Sequence, residues 1–245
     1  MLKVSRTSSG EPEIFASIQG EGPTCGLPSV FLRLALCNLR CTWCDTDYTW
    51  DWSRHDPRAS IVELDPEDAA LRVLCLAGEG ATSATPRIGN VVLTGGEPLL
   101  QQTELAETAG ALKARGLRIE IETNGTITPL PPLARMIDQW NVSPKLTSSG
   151  NAATARGNDQ ATRWFSEQPT AFFKFVIVGP EDLAEVDELV RRYRVPAERT
   201  ILMPEGTEAR VIAERSQWLA EWCTASGYRL GARLHVMLWG NQRGR

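Results

Sequence analysis

Cys37, Cys41 and Cys44 fall within eight residues, in the run Cys-Asn-Leu-Arg-Cys-Thr-Trp-Cys. Three thiolates on one tight loop can ligate one soft metal centre. A structural zinc site closes with four ligands, in pairs of Cys or His. No second pair is present: His55 and His235 are the only histidines, and Cys75 falls in a predicted helix. Three ligands on a four-iron, four-sulfur cube leave one iron open, and an open iron can bind a small molecule as an open zinc position does. The remaining cysteines are scattered. Cys75 and Cys223 are expected as small buried hydrophobes, and Cys25 as a spare thiol.

A second signal is Thr94-Gly95-Gly96-Glu97-Pro98 at the end of a predicted strand. Alone, the glycine pair reads as a turn; beside a metal loop, it lets backbone approach a ligand closely. Side chains alternate along a strand. In 30–37, Val30, Leu32, Leu34 and Leu36 make one apolar face, so Arg33 and Cys37 share the other. In 117–122, Leu117, Ile119 and Ile121 face helices, while Arg118, Glu120 and Glu122 face inward. A charged face on a buried strand implies a polar ligand or an internal ion-pair network.

The elements that must position these groups are strands over 30–36, 90–93, 117–122, 136–142, 171–178, 200–203 and 234–238. Helices are predicted between them over 66–77, 103–115, 181–194 and 208–225. Pro66 and Pro180 stand near helix starts, and Gly116 and Gly227 follow helix ends. Such alternation implies parallel βαβ units. Six or so units make an α/β fold of the incomplete (β/α)6, TIM-like barrel type in one domain over 1–245. A closed eight-unit barrel is tight for 245 residues, and a doubly wound sheet is the competing architecture. Segments 46–64 and 147–158 read as loops, and much of 51–90 has no assignment.

A net charge of −4 carries no basic footprint of a nucleic-acid partner. The longest apolar runs are strand-length, short of the roughly 18 residues of a membrane span. The first ten residues lack the apolar core of a signal peptide. A cytoplasmic protein with no membrane association is expected.

The spacing C-x3-C-x2-C, with Trp43 before the last Cys, resembles the signature of the radical S-adenosylmethionine (SAM) superfamily. Thr94–Pro98 falls where that superfamily places its SAM-binding glycines. The stretch Ile18-Gln19-Gly20-Glu21-Gly22, Arg33, Cys44-Asp45-Thr46, Glu122–Gly125, Ser143–Lys145 and Trp239-Gly240-Asn241 together resemble the 7-carboxy-7-deazaguanine synthase (QueE) family. The resemblance runs from Glu13 to the C-terminus. It implies a lyase that contracts the ring of 6-carboxy-5,6,7,8-tetrahydropterin to 7-carboxy-7-deazaguanine with release of ammonia, in queuosine or other 7-deazapurine biosynthesis. It implies a 4Fe-4S cluster on Cys37, Cys41 and Cys44, SAM, and Mg2+ on Thr46.

By the same resemblance, segment 1–29 contributes to the substrate site. Ile18, Gln19, Gly20, Glu21, Arg33, Thr94, His235 and Arg245 would meet the pterin, with the Arg33 fork on its carboxylate. Trp43, Cys44, Asp45, Gly96, Glu122, Thr123, Ser143, Pro144, Lys145 and Met203-Pro204-Glu205-Gly206 would meet SAM. No protein acid or base is assigned, because the SAM-derived radical does the chemistry. A flavodoxin or ferredoxin as reductant and a homodimer are the implied partners.

His235, placed on a strand face with Met237 and Trp239, is either a core histidine or a substrate contact. The end, 240–245, either folds over the substrate or frays as a basic tail. Two rivals remain at this level. One is another radical SAM enzyme, such as a glycyl-radical activase, which would not need Gln19, Glu21 and Arg33. The other is a metal-stabilised binding protein without catalysis.

Overall fold

Residues 1–78 and 87–245 are described by a computed structural model. One sheet is built from β1 (Leu2–Ser5), β2 (Ile14–Ile18), β3 (Pro28–Leu34), β4 (Ile61–Leu64), β5 (Asn90–Gly95), β6 (Arg118–Thr123), β7 (Gln139–Val142), β8 (Ala171–Ile177), β9 (Thr200–Pro204) and β10 (Arg229–Leu230). The helices are α1 (Pro57–Ser60), α2 (Pro66–Leu76), α3 (Gln102–Lys113), α4 (Pro131–Ala134), α5 (Ala153–Arg156), α6 (Asp159–Glu167), α7 (Asp182–Tyr193), α8 (Ala209–Ser226) and α9 (Leu234–Trp239).

Strands β3, β5, β6, β7, β8 and β9 run parallel, each beside the next in that order. The order never reverses, so this is not a doubly wound sheet, whose strand order turns back at its switch point. β10 adds a short parallel pair to β9, while β2 and β1 pair antiparallel with β3 and β4 with β1. The sheet runs from β10 to β4 without closing. It is the incomplete TIM-like barrel that the alternation implied.

Alternation sorts the strands as expected. Val30, Leu32, Leu34, Val91, Leu93, Ile119, Ile121, Trp140, Val142, Phe173 and Phe175 join the helices in one core. Their neighbours turn into the barrel. The long helices start and stop on local chemistry. Asp65 caps α2 by accepting from the Glu67 amide, with Pro66 at the first position. Asn158 caps α6 through the Ala161 amide at 3.1 Å, and α8 ends on Gly227 in the left-handed region, φ 74°.

Several expectations change. The segment over 234–238 is the helix α9, not a strand: five residues are too few for a 3.6 period to declare itself. β4 and the one-turn α1 lie inside the supposed loop 46–64, and α5 inside 147–158. Cys75 is exposed, because α2 buries Ala69, Ala70, Val73 and Leu74 and turns position 75 outward. Cys223 is buried, as expected. Residues 79–86 of the unassigned stretch lie outside the described residues.

At the top of the barrel, β5 ends against the end of β3 with no space between. A Cβ on Gly95 would stand 2.0 Å from the Leu34 carbonyl oxygen, and one on Gly96 2.1 Å from that of Leu36. The Gly96 amide donates to Leu34 O at 3.1 Å and the Glu97 amide to Leu36 O at 2.8 Å. Gly95 also holds φ 138°, which an L side chain rarely adopts. Gly95→Ala is therefore expected to destabilise the unloaded protein by about 3 kcal/mol or more, read by urea unfolding; a loss under about 1 kcal/mol would refute the tight packing.

Candidate active site

Buried polar groups on the inward face form two tiers. The lower tier gathers on Glu120, which is fully buried. It accepts from Thr24 Oγ1 at 2.7 Å, Asn90 Nδ2 at 2.5 Å, Gln139 Nε2 at 2.8 Å and Asn141 Nδ2 at 2.8 Å. This closed network satisfies its members, as buried polar groups require. Glu120 thus belongs to the internal network that the charged strand face left open as an alternative.

The upper tier opens on a cavity of about 390 Å³ at the C-terminal ends of the parallel strands, the end at which barrels of this kind carry their sites. Glu122 accepts from Thr94 Oγ1 at 2.7 Å and from Gln19 Nε2 at 3.3 Å. Gln19 Oε1 in turn accepts the Glu21 amide at 3.1 Å. The Glu21 carboxylate pairs with Lys174 and with Arg233 Nε at 3.1 Å, and Arg233 also pairs with Asp45. Burial alone would raise the Glu21 carboxyl, but Lys174, then Arg233 and His235, outweigh it and hold it far below the usual carboxylate range. Burial also lowers His235, against the pull of Glu21. α9 brings His235 here by resting on Gly20: the Leu234 amide donates to Gly20 O at 2.9 Å, and a Cβ on Gly20 would lie 2.1 Å from His235 Nδ1.

Arg33 lines the same cavity and donates through Nε to Glu13 at 3.1 Å. Glu13 is 1% exposed. Tyr48 OH donates to it at 3.1 Å, and Arg243 donates through Nε at 3.0 Å and Nη2 at 2.6 Å. The Arg243 guanidinium lies 3.6 Å from the Tyr48 ring centre. The C-terminal residues 241–245 therefore line the cavity. Phe15 and Phe31 stack at 5.0 Å on the same wall.

The cysteine loop forms the opposite wall, and Cys37, Cys41 and Cys44 all line it. Each sulfur accepts one N–H: from the Leu39 amide at 3.4 Å, Asn151 Nδ2 at 3.3 Å and Trp50 Nε1 at 3.3 Å, respectively. Burial pushes the Cys37 thiol up to about 12 and raises Cys41 too, so a metal centre that takes the thiolates releases protons. Among the described residues, no three Cys, His, Asp or Glu side chains converge as a lone metal ion needs. A cube sets its irons at separate corners and asks for less convergence. The Trp43 indole N–H is buried with no partner, as expected beside a group that is not protein. A soft three-sulfur donor set and an orphaned donor at its edge fit a 4Fe-4S cluster.

Ile18, Gln19, Gly20, Glu21, Arg33, Thr94, His235 and Arg245 all reach the cavity. So do Trp43, Cys44, Asp45, Thr46, Gly96, Glu122, Thr123, Ser143, Lys145, Met203 and Glu205. Lys145 Nζ sits 5.5 Å over the Trp43 ring and donates to Ser143 Oγ at 2.8 Å. Three of the residues expected on SAM are not in the lining. Pro144 borders a small hollow on the helical side with Arg156 and Tyr193. Pro204 alternates with Met203 and Glu205 and so faces outward. Gly206 offers its carbonyl to Arg233 Nη1 at 2.5 Å. Sequence reasoning passed over Glu13, Tyr48, Lys174, Arg233 and Arg243. Only Lys174 left a trace, as the lone charge in the apolar strand Ala-Phe-Phe-Lys-Phe-Val-Ile.

Residues 34–145 match the Radical SAM superfamily, so fold, cysteine loop and glycine motif define a radical SAM enzyme. The chain is 41% identical over 236 residues to the 7-carboxy-7-deazaguanine synthase of Pyrobaculum aerophilum, covering 95% of this chain and 96% of the relative. It is 30% identical to that of Rhodopirellula baltica, covering 99% and 91%. The chain belongs to the 7-carboxy-7-deazaguanine synthase family. The crystal structure of QueE from Escherichia coli has the same fold, with TM-score 0.65 at 24% identity, over 94% of this chain and 92% of that one.

Lys174 is buried and Glu21 largely so, and Arg233 shares the Glu21 carboxylate, so removing Glu21 leaves Lys174 unpaired while removing Lys174 leaves Glu21 with Arg233. Glu21→Gln is expected to cost about 3 kcal/mol in urea unfolding at pH 7, and Lys174→Met less, because Arg233 stays on Glu21. The double substitution should recover part of either loss; strictly additive losses would show that the two do not act as a pair.

Proposed function

We propose that this enzyme converts 6-carboxy-5,6,7,8-tetrahydropterin to 7-carboxy-7-deazaguanine with release of ammonia, as a radical SAM lyase of 7-deazapurine biosynthesis. The observation that carries this reading is one cavity with two chemically different walls. One wall presents three thiols; the other presents Gln19, Glu21, Glu122 and Arg33. A glycyl-radical activase works on a protein chain and has no use for a buried wall of that kind, and a binding protein has no use for the thiols.

Cys37, Cys41 and Cys44 would hold a 4Fe-4S cluster, which with SAM would supply a 5′-deoxyadenosyl radical. The residues of this chain bind and orient. Glu21, kept ionised by Lys174 and Arg233, is a pure acceptor and suits the amide and amino donors of a pterin edge. Arg33, held at Nε by Glu13, keeps its outer nitrogens for the substrate carboxylate. Phe15 and Phe31 offer a flat face to a flat ring. Residues 241–245 and α9 close the cavity on the solvent side, which keeps water from a reactive intermediate. Trp43, Asp45, Gly96, Thr123, Ser143, Lys145, Met203 and Glu205 form the SAM side.

Thr46 Oγ1, 3.7 Å from Cys44 Sγ, is the proposed Mg2+ ligand; magnesium keeps several waters, so one protein oxygen is enough. The working unit is a homodimer, supported by the exposed Met237, Leu238 and Trp239 on α9. The reductant is a flavodoxin- or ferredoxin-type carrier. No helix among the described residues is long and apolar enough to cross a membrane, and we place the enzyme in the cytoplasm as one domain, with segment 1–29 as part of the substrate wall.

Anaerobic incubation with SAM, reductant, Mg2+ and the carboxypterin, followed by product mass, tests the reading. Formation of 7-carboxy-7-deazaguanine is expected; SAM cleavage with the pterin left intact would overturn the substrate. Arg33→Ala is expected to raise the KM for the carboxypterin by about tenfold to a hundredfold, the worth of one charge-assisted contact, with iron content unchanged. Cys41→Ala should abolish reductive SAM cleavage, and a loaded, SAM-cleaving Cys41→Ala protein would remove Cys41 from the ligand set.

A further inference from the structure

We infer that Asn151 and Trp50 are positioning residues that set the reduction potential of the cluster, through N–H donors aimed at Cys41 Sγ and Cys44 Sγ. The inference rests on the cluster proposed above and extends it to side chains outside the cysteine run.

Both donors come from elements the cysteine motif does not contain. Trp50 follows the 3-10 turn Asp47–Thr49, which is tied to the end of β3 by the Leu36 amide donating to Thr49 O at 2.7 Å. Its own amide donates to Asp47 O at 3.0 Å, which holds the indole N–H on Cys44 at 3.3 Å. Asn151 reaches Cys41 from across the barrel mouth, 110 residues on in sequence. Its side chain is fixed at both ends. Oδ1 accepts the Arg40 amide at 2.8 Å, and Nδ2 lies 3.3 Å from Cys41 Sγ and 3.2 Å from Ser149 Oγ. Because Arg40 N–H can only donate, the atom facing it is the oxygen, so the amide nitrogen must face the sulfur. The Thr42 amide donates to Ser149 O at 3.0 Å, which docks the same segment on the cysteine loop.

Hydrogen bonds to cluster sulfurs are one of the protein's controls on potential. Reduction adds negative charge that the thiolates share, so an N–H donor stabilises the reduced state more than the oxidised one and raises the potential. Cys37 takes its donor from main chain, at Leu39, where only proline would remove it. The other two thiolates take theirs from side chains. Trp50 and Asn151 are therefore the side-chain N–H donors through which this sequence adjusts how readily the cluster accepts the electron, beside the Thr46 hydroxyl 3.7 Å from Cys44 Sγ.

The test uses the full chain reconstituted anaerobically without SAM, with iron and sulfide measured and the cluster titrated against a poised dye mixture by electron paramagnetic resonance. Trp50→Phe keeps an aromatic side chain and removes the N–H donor together with part of the ring. Asn151→Asp keeps the acceptor for Arg40 and replaces the donor with an anionic oxygen. Each is expected to lower the ratio of reduced to oxidised cluster at a fixed solution potential by about threefold or more, a shift of about 28 mV at 59 mV per tenfold. The double variant should show the sum, because the two donors serve different sulfurs. The potential is read on the loaded fraction, so partial loading leaves it interpretable. Unchanged potentials in Trp50→Phe and Asn151→Asp would overturn the inference and leave the cluster standing. A wild-type chain that takes up no cluster would overturn the reading of the site itself.

Discussion

The backbone of Gly95 and Gly96 lies against the carbonyls of Leu34 and Leu36 with no room for a side chain. That contact makes the ends of two adjacent parallel strands a single unit. One strand leads into the cysteine loop, and the other leads through Glu97 toward β6. Glu97 is fully buried and accepts from Thr123 Oγ1 at 2.8 Å and the Asn124 amide at 2.7 Å. Burial raises its carboxyl against those hydrogen bonds. The cost of burying this group is met by fastening three successive strand ends together. A flexible cysteine loop would hold a cluster at no fixed distance from the substrate wall, and reactions of positioned radicals depend on that distance.

Below that unit, the inward face sorts its charges by height. Glu120 accepts from four neutral donors, with the Arg118 guanidinium 3.7 Å away. One layer up, Glu122 and Glu21 line the cavity, and Lys174 and Arg233 hold Glu21 ionised. The N-terminal segment, β2 and the turn after it, belongs to both layers: Thr24 bonds to Glu120 below, and Gln19 to Glu122 above. The C-terminal helix and tail then close from the far end of the chain, with Arg233 on Glu21 and Arg243 on Glu13. The two chain termini thus meet over the parallel strands and enclose what those strands present.

Much of this is legible without coordinates. The apolar and charged positions of 117–122 separate by strand alternation alone, and Arg33 falls on the inward face for the same reason. The four long helices stand within two residues of their expected ends, although only α2 has a side-chain cap. What stays hidden has physical causes. Arg233 and Arg243 carry no periodic or motif signal; their partners lie at Glu21 and Glu13, more than two hundred residues away in sequence. β1 is four residues long and β4 equally short, so neither shows a period. Residues 234–238 alternate by chance and are helical because Val236 buries while the Leu234 amide bonds to Gly20. Asn151 and Trp50 lie in segments that composition marks as loops, and only the fold brings them onto sulfur.

All of this turns on Cys37, Cys41 and Cys44 as the proposed holders of a cluster that SAM can reach. The most direct test is the electron paramagnetic resonance spectrum of the reduced, reconstituted protein before and after SAM, with iron counted on the same sample. Four irons per chain and a signal whose shape changes on addition of SAM are expected. A signal indifferent to SAM, or one zinc in place of iron, would contradict the assignment.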